Sequence, residues 1–237
     1  MTQNNDVNIL KFLNSDLKKY KIKLKFQYYD VCPFNENKLE IMRIILKYVK
    51  LFESYHHKIF ILSSLCDKCF KDCVPYMVEI YHYFLDNVYS NPIDEMYLLH
   101  LCDTIAKIKA LEYTDLYKSI VLKPMTQSAE SIIKMLSENN MNEFDEIIFN
   151  LIKKENLIPT SWIGELNEDS KYWCSYIAMK CIVDKKDKKY LPFFNEILED
   201  ELMSWIKFSD SKYKNKLTLE WKNKYRLLAE KGIKKIK

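Results

Sequence analysis

Glycine is nearly absent from this chain, whose 237 residues include only Gly164 and Gly232. Phosphate-binding loops and dinucleotide-binding turns need several glycines, because the backbone there must turn tightly and approach the ligand closely. The tight hairpins of β-rich proteins also favour glycine where φ is positive. The scarcity of glycine therefore argues against a nucleotide-binding α/β protein and against a β-rich protein.

Long apolar runs are also missing. Lys, Asp or Glu interrupts each apolar stretch well before the ~18 residues that a membrane-spanning helix needs. No apolar stretch follows a basic N-terminus, so the sequence shows no secretory signal. An odd number of cysteines, seven, without a sign of export is typical of free thiols in a reducing cytosol. We therefore expect a cytoplasmic protein with no membrane partner.

Catalytic motifs are equally scarce. The sequence has no Gly-x-Ser-x-Gly motif, and none of its four histidines has a recognisable partner motif. Glu79 and His82 have the Glu-x-x-His spacing of di-iron bundles, but the second copy that such a site needs is missing. We therefore expect no enzyme, no catalytic or metal-binding residue and no cofactor.

Histidines and cysteines are concentrated between residues 56 and 73. A structural zinc site takes four ligands in compact pairs. Cys66 and Cys69 form one such pair, and no second pair follows at a suitable spacing. Packing of small thiols in the core is the preferred interpretation, with zinc binding and redox chemistry as alternatives. The group comprises His56, His57, Cys66, Cys69 and Cys73.

Helical periodicity runs through almost the whole chain. Together with the abundance of Leu, Ile, Lys and Glu, it predicts an all-α protein. Residues 21–26 alternate in polarity and fit either a short strand or a linker. A helix that starts near Asn37 is predicted to bury one stripe, and another is predicted over residues 188–206. The stripe comprises Leu39, Met42, Ile45, Val49 and Phe52.

Two segments, FKDCVPYMVEIY (70–81) and DKKYLPFFNEIL (187–198), repeat one order of residue types 117 residues apart. Both contain apolar, Pro, aromatic, apolar, variable, Glu and Ile. The separation equals three steps of 39 residues, and a period of about 30–47 residues is typical of helical repeats. Pro92, Pro124 and Pro159 each precede a predicted helix pair. The two segments are therefore predicted to be the second helices of equivalent repeats.

Residues 172–201 resemble a HEAT-type repeat, and residues 59–81 and 101–120 resemble the same unit. The likeness implies a right-handed α-solenoid of stacked antiparallel helix pairs, with about 10–12 helices. It implies one domain over 1–237, in which 1–36 form a cap and loop, 37–208 the repeats and 209–237 a basic cap helix. HEAT-like proteins generally bind macromolecules along a concave face. The residues that carry the likeness are Ala178, Cys181, Ile182, Asp184, Asp187, Leu191, Pro192, Phe193, Ile197 and Leu198, with Asp67, Val74, Pro75 and Ile80, and with Ile105, Ile108, Tyr113 and Leu116.

Charge is distributed unevenly. Residues 212–237 carry a net charge of +8 and residues 11–26 carry +5, whereas residues 27–211 carry −8. From Asp72 to Ala106 there is no Lys or Arg. An acidic surface repels nucleic acid and speeds the encounter with a basic protein.

Spacing places the acidic residues of this segment on helix faces. Glu79, His82 and Asp86 share one face of a predicted helix, and His100, Asp103 and Lys107 share a face of the next. Aromatic residues lie among them, as they do in interface hot spots. An ordinary solvated face and an aromatic core are the alternatives. The candidate partner-binding residues are Glu79, His82, Asp86, Asp94, Glu95, His100 and Asp103, and the aromatic residues are Tyr76, Tyr81, Tyr83, Phe84, Tyr89 and Tyr97.

The function that these features favour is a non-enzymatic protein-binding helical-repeat module whose acidic middle docks a basic protein. One version is an immunity protein that neutralises a toxin such as a nuclease. The alternatives are a nucleic-acid-binding protein similar to the HEAT-like DNA glycosylases, or a metalloprotein or enzyme with an unrecognised site. The acidic middle disfavours nucleic acid, because its phosphates attract Lys and Arg.

Overall fold

The computed structural model describes residues 2–29, 31–34, 36–86, 95–122, 127–139, 142–152, 161–162, 165–166, 172–199, 203, 205–208 and 214–237. These residues form an all-α protein, in which two strands of two residues each make one antiparallel pair. The α-helices are α1 (Thr2–Leu17), α2 (Lys38–Val49), α3 (Tyr55–Leu62), α4 (Val74–Asp86), α5 (Glu95–Ile108), α6 (Thr114–Val121), α7 (Glu130–Ser137), α8 (Asn142–Leu151), α9 (Trp173–Lys185), α10 (Leu191–Leu198) and α11 (Lys214–Ile236), and the strands are β1 (Ser161–Trp162) and β2 (Glu165–Leu166).

Residue contacts divide the chain into a first unit, Met1–Ile120, and a second unit, Val121–Lys237. In the first unit α2 packs on α1, and α5 packs on α3 and α4. Large aromatic side chains fill this core, because the sequence offers them in place of small residues. The largest fully buried side chains of the first unit include Tyr81, Tyr117, Phe34, Phe52 and Phe70.

A buried carboxylate fixes α1 to the turn before α3. Asp6 is fully buried and accepts hydrogen bonds from the amides of Glu53, at 2.8 Å, and Ser54, at 3.0 Å. Its third partner is Nδ1 of His57, at 2.6 Å. Burial by itself raises the pKa of Asp6, but these hydrogen bonds outweigh burial and hold that pKa below its usual value. The fold therefore stabilises the charged form of Asp6.

The second unit is built around α9, which packs on α7, α8 and α11. Helix α10 packs on α11, where the ring of Phe194 lies against Gly232. A Cβ atom at position 232 would lie 2.5 Å from Phe194 Cε2, so only glycine fits without a shift of the ring. The unit also holds all four tryptophans of the chain, namely Trp162, Trp173, Trp205 and Trp221.

Two sequence predictions about these helices are wrong in detail. Leu39 is 59% exposed, because the buried stripe of α2 begins at Ile41. The helix predicted over residues 188–206 ends at Leu198, where Glu199 takes an extended backbone. An acidic run follows Leu198, and acidic groups at a helix C-terminus oppose the helix dipole.

The segment of alternating polarity, residues 21–26, forms no strand and no helix. The side chain of Asn14 holds it instead: Asn14 Nδ2 donates to Leu24 O at 2.9 Å, and Leu24 N donates to Asn14 Oδ1 at 2.7 Å. The prolines that mark the predicted helix pairs, at positions 92, 124 and 159, lie outside the described residues. Within the described part of the chain, no helix combines the length and apolar character needed to cross a bilayer.

Candidate partner-binding surface

The acidic residues predicted on α4 lie where a partner can reach them. Glu79 and Asp86 are exposed, whereas His82 is half-buried. Nε2 of His82 lies 2.8 Å from Oγ of Ser119, so this histidine faces α6. The helix therefore presents Glu79 and Asp86 to solvent, and His82 joins two helices.

Two of the predicted residues of α5 are less exposed than the two carboxylates of α4. Asp103 and His100 are half-buried, and the His100 ring stacks on Tyr28 with centroids 3.8 Å apart. Glu95 is the first residue of α5, and Asp94 lies outside the described residues. Helices α4 and α5 pack together, as the hypothesis of a shared surface requires, but His82 and His100 turn towards different neighbours.

Eight rings of the first unit form one continuous group, the aromatic cluster, of which no member is fully buried. Helices α3, α4 and α5 and the segment before α2 all contribute to it. Its members are Tyr28, Tyr55, His56, Phe60, Tyr83, Phe84, Tyr97 and His100.

Ring contacts connect the cluster from end to end. Tyr28 tilts against Phe60 at 4.7 Å, and Phe60 meets the edge of Tyr97 at 5.6 Å. His56 then links Tyr97, at 4.6 Å, to Phe84, at 5.4 Å. Edge-to-face and offset contacts at such distances are favourable beyond the area that they bury. The cluster is thus a connected group of rings that is partly exposed to water, with His56 and Tyr83 as its exposed members.

Charge meets this surface at Tyr55, whose ring stacks on Tyr83 with centroids 3.6 Å apart. Lys58 Nζ lies 4.6 Å from the centroid of the Tyr55 ring. Burial raises the pKa of Tyr55, and the charges of Tyr83 and of Glu79 raise that pKa further. Glu79 also precedes Tyr83 by four residues, so its carboxylate and the Tyr83 ring lie on one face of α4.

The sequence identified part of this cluster and missed the rest. Of the aromatic residues predicted for a hot spot, Tyr83, Phe84 and Tyr97 belong to it. Tyr81 instead is a fully buried core residue, and Tyr76 is half-buried with Lys50 Nζ 5.1 Å from its ring centroid. Tyr89 lies outside the described residues. Helix α3 contributes Tyr55, His56 and Phe60, and the i, i+4 spacing of His56 and Phe60 is the sequence feature that places these two rings on one face.

The surroundings of the thiols near α3 and α4 favour the protonated form. All seven cysteines lie within the described residues and none forms a disulfide bond; Cys73 is buried, while Cys66 and Cys69 are half-buried. Burial, and then the neighbouring Asp67, raise the pKa of Cys69 to about 12; burial also raises the pKa of Cys73 to about 12. In the part of the chain that the structure describes, no three His, Cys, Asp or Glu side chains are arranged to hold a metal ion.

A cleft of about 360 Å³ lies in the second unit between α7 and α9. Its charges are of both signs and are already paired in part: Lys134 bonds Glu130, and Lys185 bonds Asp145. The half-buried thiol of Cys181 also lines it, and burial raises its pKa. Mixed charge and a protonated thiol single out no ligand, so the aromatic cluster is the stronger candidate site.

Comparison of the chain with protein-family models, with curated proteins and with solved structures gives no match. The chemistry of the surface itself is therefore the basis for a functional proposal.

Proposed function

We propose that this chain is a non-enzymatic protein-binding module, and that the aromatic cluster with the carboxylates beside it docks a basic protein. The observation that carries the proposal is a contiguous, partly exposed group of eight rings, whose exposed member Tyr83 lies on the same helix face as Glu79 and Asp86. Soluble proteins seldom leave such a group open unless it binds something. Rigid aromatic side chains dominate the energetics of protein interfaces.

Charge is the second support. The cluster draws on the 35-residue segment from Asp72 to Ala106, which contains six Asp or Glu residues and no Lys or Arg. Four of the cluster's eight rings come from this segment, and Lys58 of α3 adds a positive charge at Tyr55. A predominantly acidic surface speeds encounter with a basic partner, and this steering weakens as salt rises. A basic toxin such as a nuclease has the charge that this surface favours, and an immunity protein is the version of the proposal that such a partner implies.

The α-solenoid of HEAT-like repeats is part of the same proposal. Its support is local: α4 and α10 begin at positions 74 and 191, which are equivalent in the two repeated segments, and each has Pro at its second position. Each also follows a 3-10 turn that an Asp side chain caps, Asp67 in one case and Asp187 in the other. A stacked array of such pairs offers the extended face that protein ligands use.

The test compares wild type with two matched double variants in affinity capture from a lysate of the source cells. Glu79→Gln/Asp86→Asn removes exposed charge beside the cluster, and Glu196→Gln/Glu230→Gln removes exposed charge from the second unit. We expect a basic protein that wild type and the second variant retain at low salt, and that the first variant loses. High salt should release it from wild type. Capture of the same proteins by all three forms, or capture indifferent to salt, refutes the proposal.

A further inference from the structure

The aromatic cluster already holds one cation on an aromatic face. Tyr83 covers one face of the Tyr55 ring at 3.6 Å, so the ammonium of Lys58, 4.6 Å from that ring's centroid, takes the other face. The carboxylate of Glu79 acts on the same ring. An ammonium on a tyrosine face near a carboxylate is favoured both by the ring quadrupole and by opposite charge.

Tyr83 offers the same combination outward. Its ring has one face against Tyr55, and 40% of the residue is still exposed. Glu79 precedes it by four residues and Asp86 follows it by three, so all three share one face of α4. All three are exposed. The ring surface that faces solvent is thus flanked by a carboxylate one turn away on each side.

We propose that Tyr83 is the anchor of this surface and that it binds an arginine side chain of the partner, stacked on the outer face of the ring and hydrogen-bonded to Glu79 or Asp86. This inference rests on the proposed function and names the group that the surface recognises. Arginine fits better than lysine, because its planar guanidinium can stack on a ring while its edge donates to a carboxylate. Lysine offers only a point charge, as Lys58 does on Tyr55.

The experiment measures the affinity of the full-length protein for hexa-arginine and hexa-lysine peptides at equal salt. We expect wild type to bind hexa-arginine more tightly, by about two- to five-fold. Tyr83→Leu keeps an apolar side chain against Tyr55 and should abolish this preference. Tyr76→Leu is the matched control on the same helix, where Lys50 lies over the ring, and it should keep the preference.

The outcomes separate this inference from the proposed function. Equal affinity for the two peptides in wild type, or an unchanged preference in Tyr83→Leu, overturns the arginine anchor. If Glu79→Gln/Asp86→Asn still weakens both peptides in that case, docking by charge survives. If that variant binds both peptides as wild type does, the proposed docking surface itself fails.

Discussion

Helices α4 and α10 share nearly the same order of residue types but lie in different surroundings. Each follows an Asp-capped 3-10 turn, starts at the equivalent residue and places Pro where a helix needs no N–H donor. Three equivalent pairs are buried in both helices or at their entry, and within the helices themselves one equivalent pair is exposed in both. The buried pairs are Cys73 and Tyr190, Met77 and Phe194, and Ile80 and Ile197; the exposed pair is Glu79 and Glu196.

The difference lies on the second face. Val78 and Tyr81 of α4 are buried, whereas Asn195 is exposed and Leu198 is 38% exposed at the equivalent positions of α10. Helix α4 packs on both α3 and α5, while α10 packs mainly on α11. The repeated phrase therefore specifies a turn, a helix start and one buried face, and the neighbouring helices decide whether a second face is buried as well.

The largest expected loss of stability comes from a substitution on the second face, which is buried in α4 and exposed in α10. Tyr81→Ala empties a fully buried site and should lower the free energy of unfolding by about 3–5 kcal/mol. Leu198→Ala, at the equivalent position, should cost less than about 1 kcal/mol, because that side chain is partly exposed. Chemical denaturation followed by circular dichroism measures both. Equal losses would mean that the two helices are buried alike.

Gly232→Ala tests the shared buried face of α10. An added Cβ atom 2.5 Å from the buried Phe194 ring should overpack the contact and cost about 1–3 kcal/mol. The substitution alone would favour a helix by about 1 kcal/mol, so a net loss identifies the clash as the stronger effect. The double variant Gly232→Ala/Phe194→Leu should recover part of the loss. A stabilised single variant would show that α10 is free to move away from α11.

The two caps should differ by a smaller amount. Asp67 accepts a hydrogen bond from Cys69 N at 3.1 Å and also pairs with Lys38 of α2. Asp187 accepts from Lys189 N at 2.9 Å and pairs with the side chain of that same residue at 3.3 Å. Replacement of Asp67 by Ala should cost about 1 kcal/mol, and replacement of the more exposed Asp187 should cost less. Because the Lys38–Asp67 pair spans two elements, Asp67→Ala should be the more costly variant. Thermal unfolding of the pair of variants decides whether the added contact stabilises the first cap.

The same caps predict a dependence on pH. The hydrogen bond from Lys38 lowers the pKa of Asp67, and the hydrogen bond from Lys189 N lowers the pKa of Asp187. A lowered folded pKa means that each carboxylate stabilises the fold fully above its unfolded pKa of about 3.9, and that this contribution is lost as pH falls below that value. Asp67→Asn and Asp187→Asn should therefore weaken the protein near neutral pH and approach wild-type stability in acid. A gap that stays constant on acidification would contradict this linkage.

What the sequence predicts well here is local. The period of the apolar residues, the position of Pro75 and Pro192 and the scarcity of glycine give the helices and the all-α class, because these features act over a few residues. Long-range packing decides the rest. It turns Leu39 to solvent, and it places rings from α3, α4, α5 and residue 28 side by side although they lie as many as 72 positions apart in the chain.

The candidate surface, too, is predicted only in those features that depend on neighbouring residues in the sequence. A run of acidic residues without Lys or Arg is visible in the sequence, and so are Tyr83, Phe84 and Tyr97. The sequence does not show that His82 lies against Ser119, 37 positions away, or that Tyr28 stacks on His100, 72 positions away. No pattern within one helix carries that information.

Because every indole of the chain belongs to the second unit, its ultraviolet emission is a native optical label for that half alone. Tryptophan emission, excited selectively at the red edge of the absorption band, would report on the unfolding of residues 121–237, while backbone ellipticity would report on both halves. A difference between the two melting curves would then reveal whether the halves unfold as one cooperative block, without a dye or an added label.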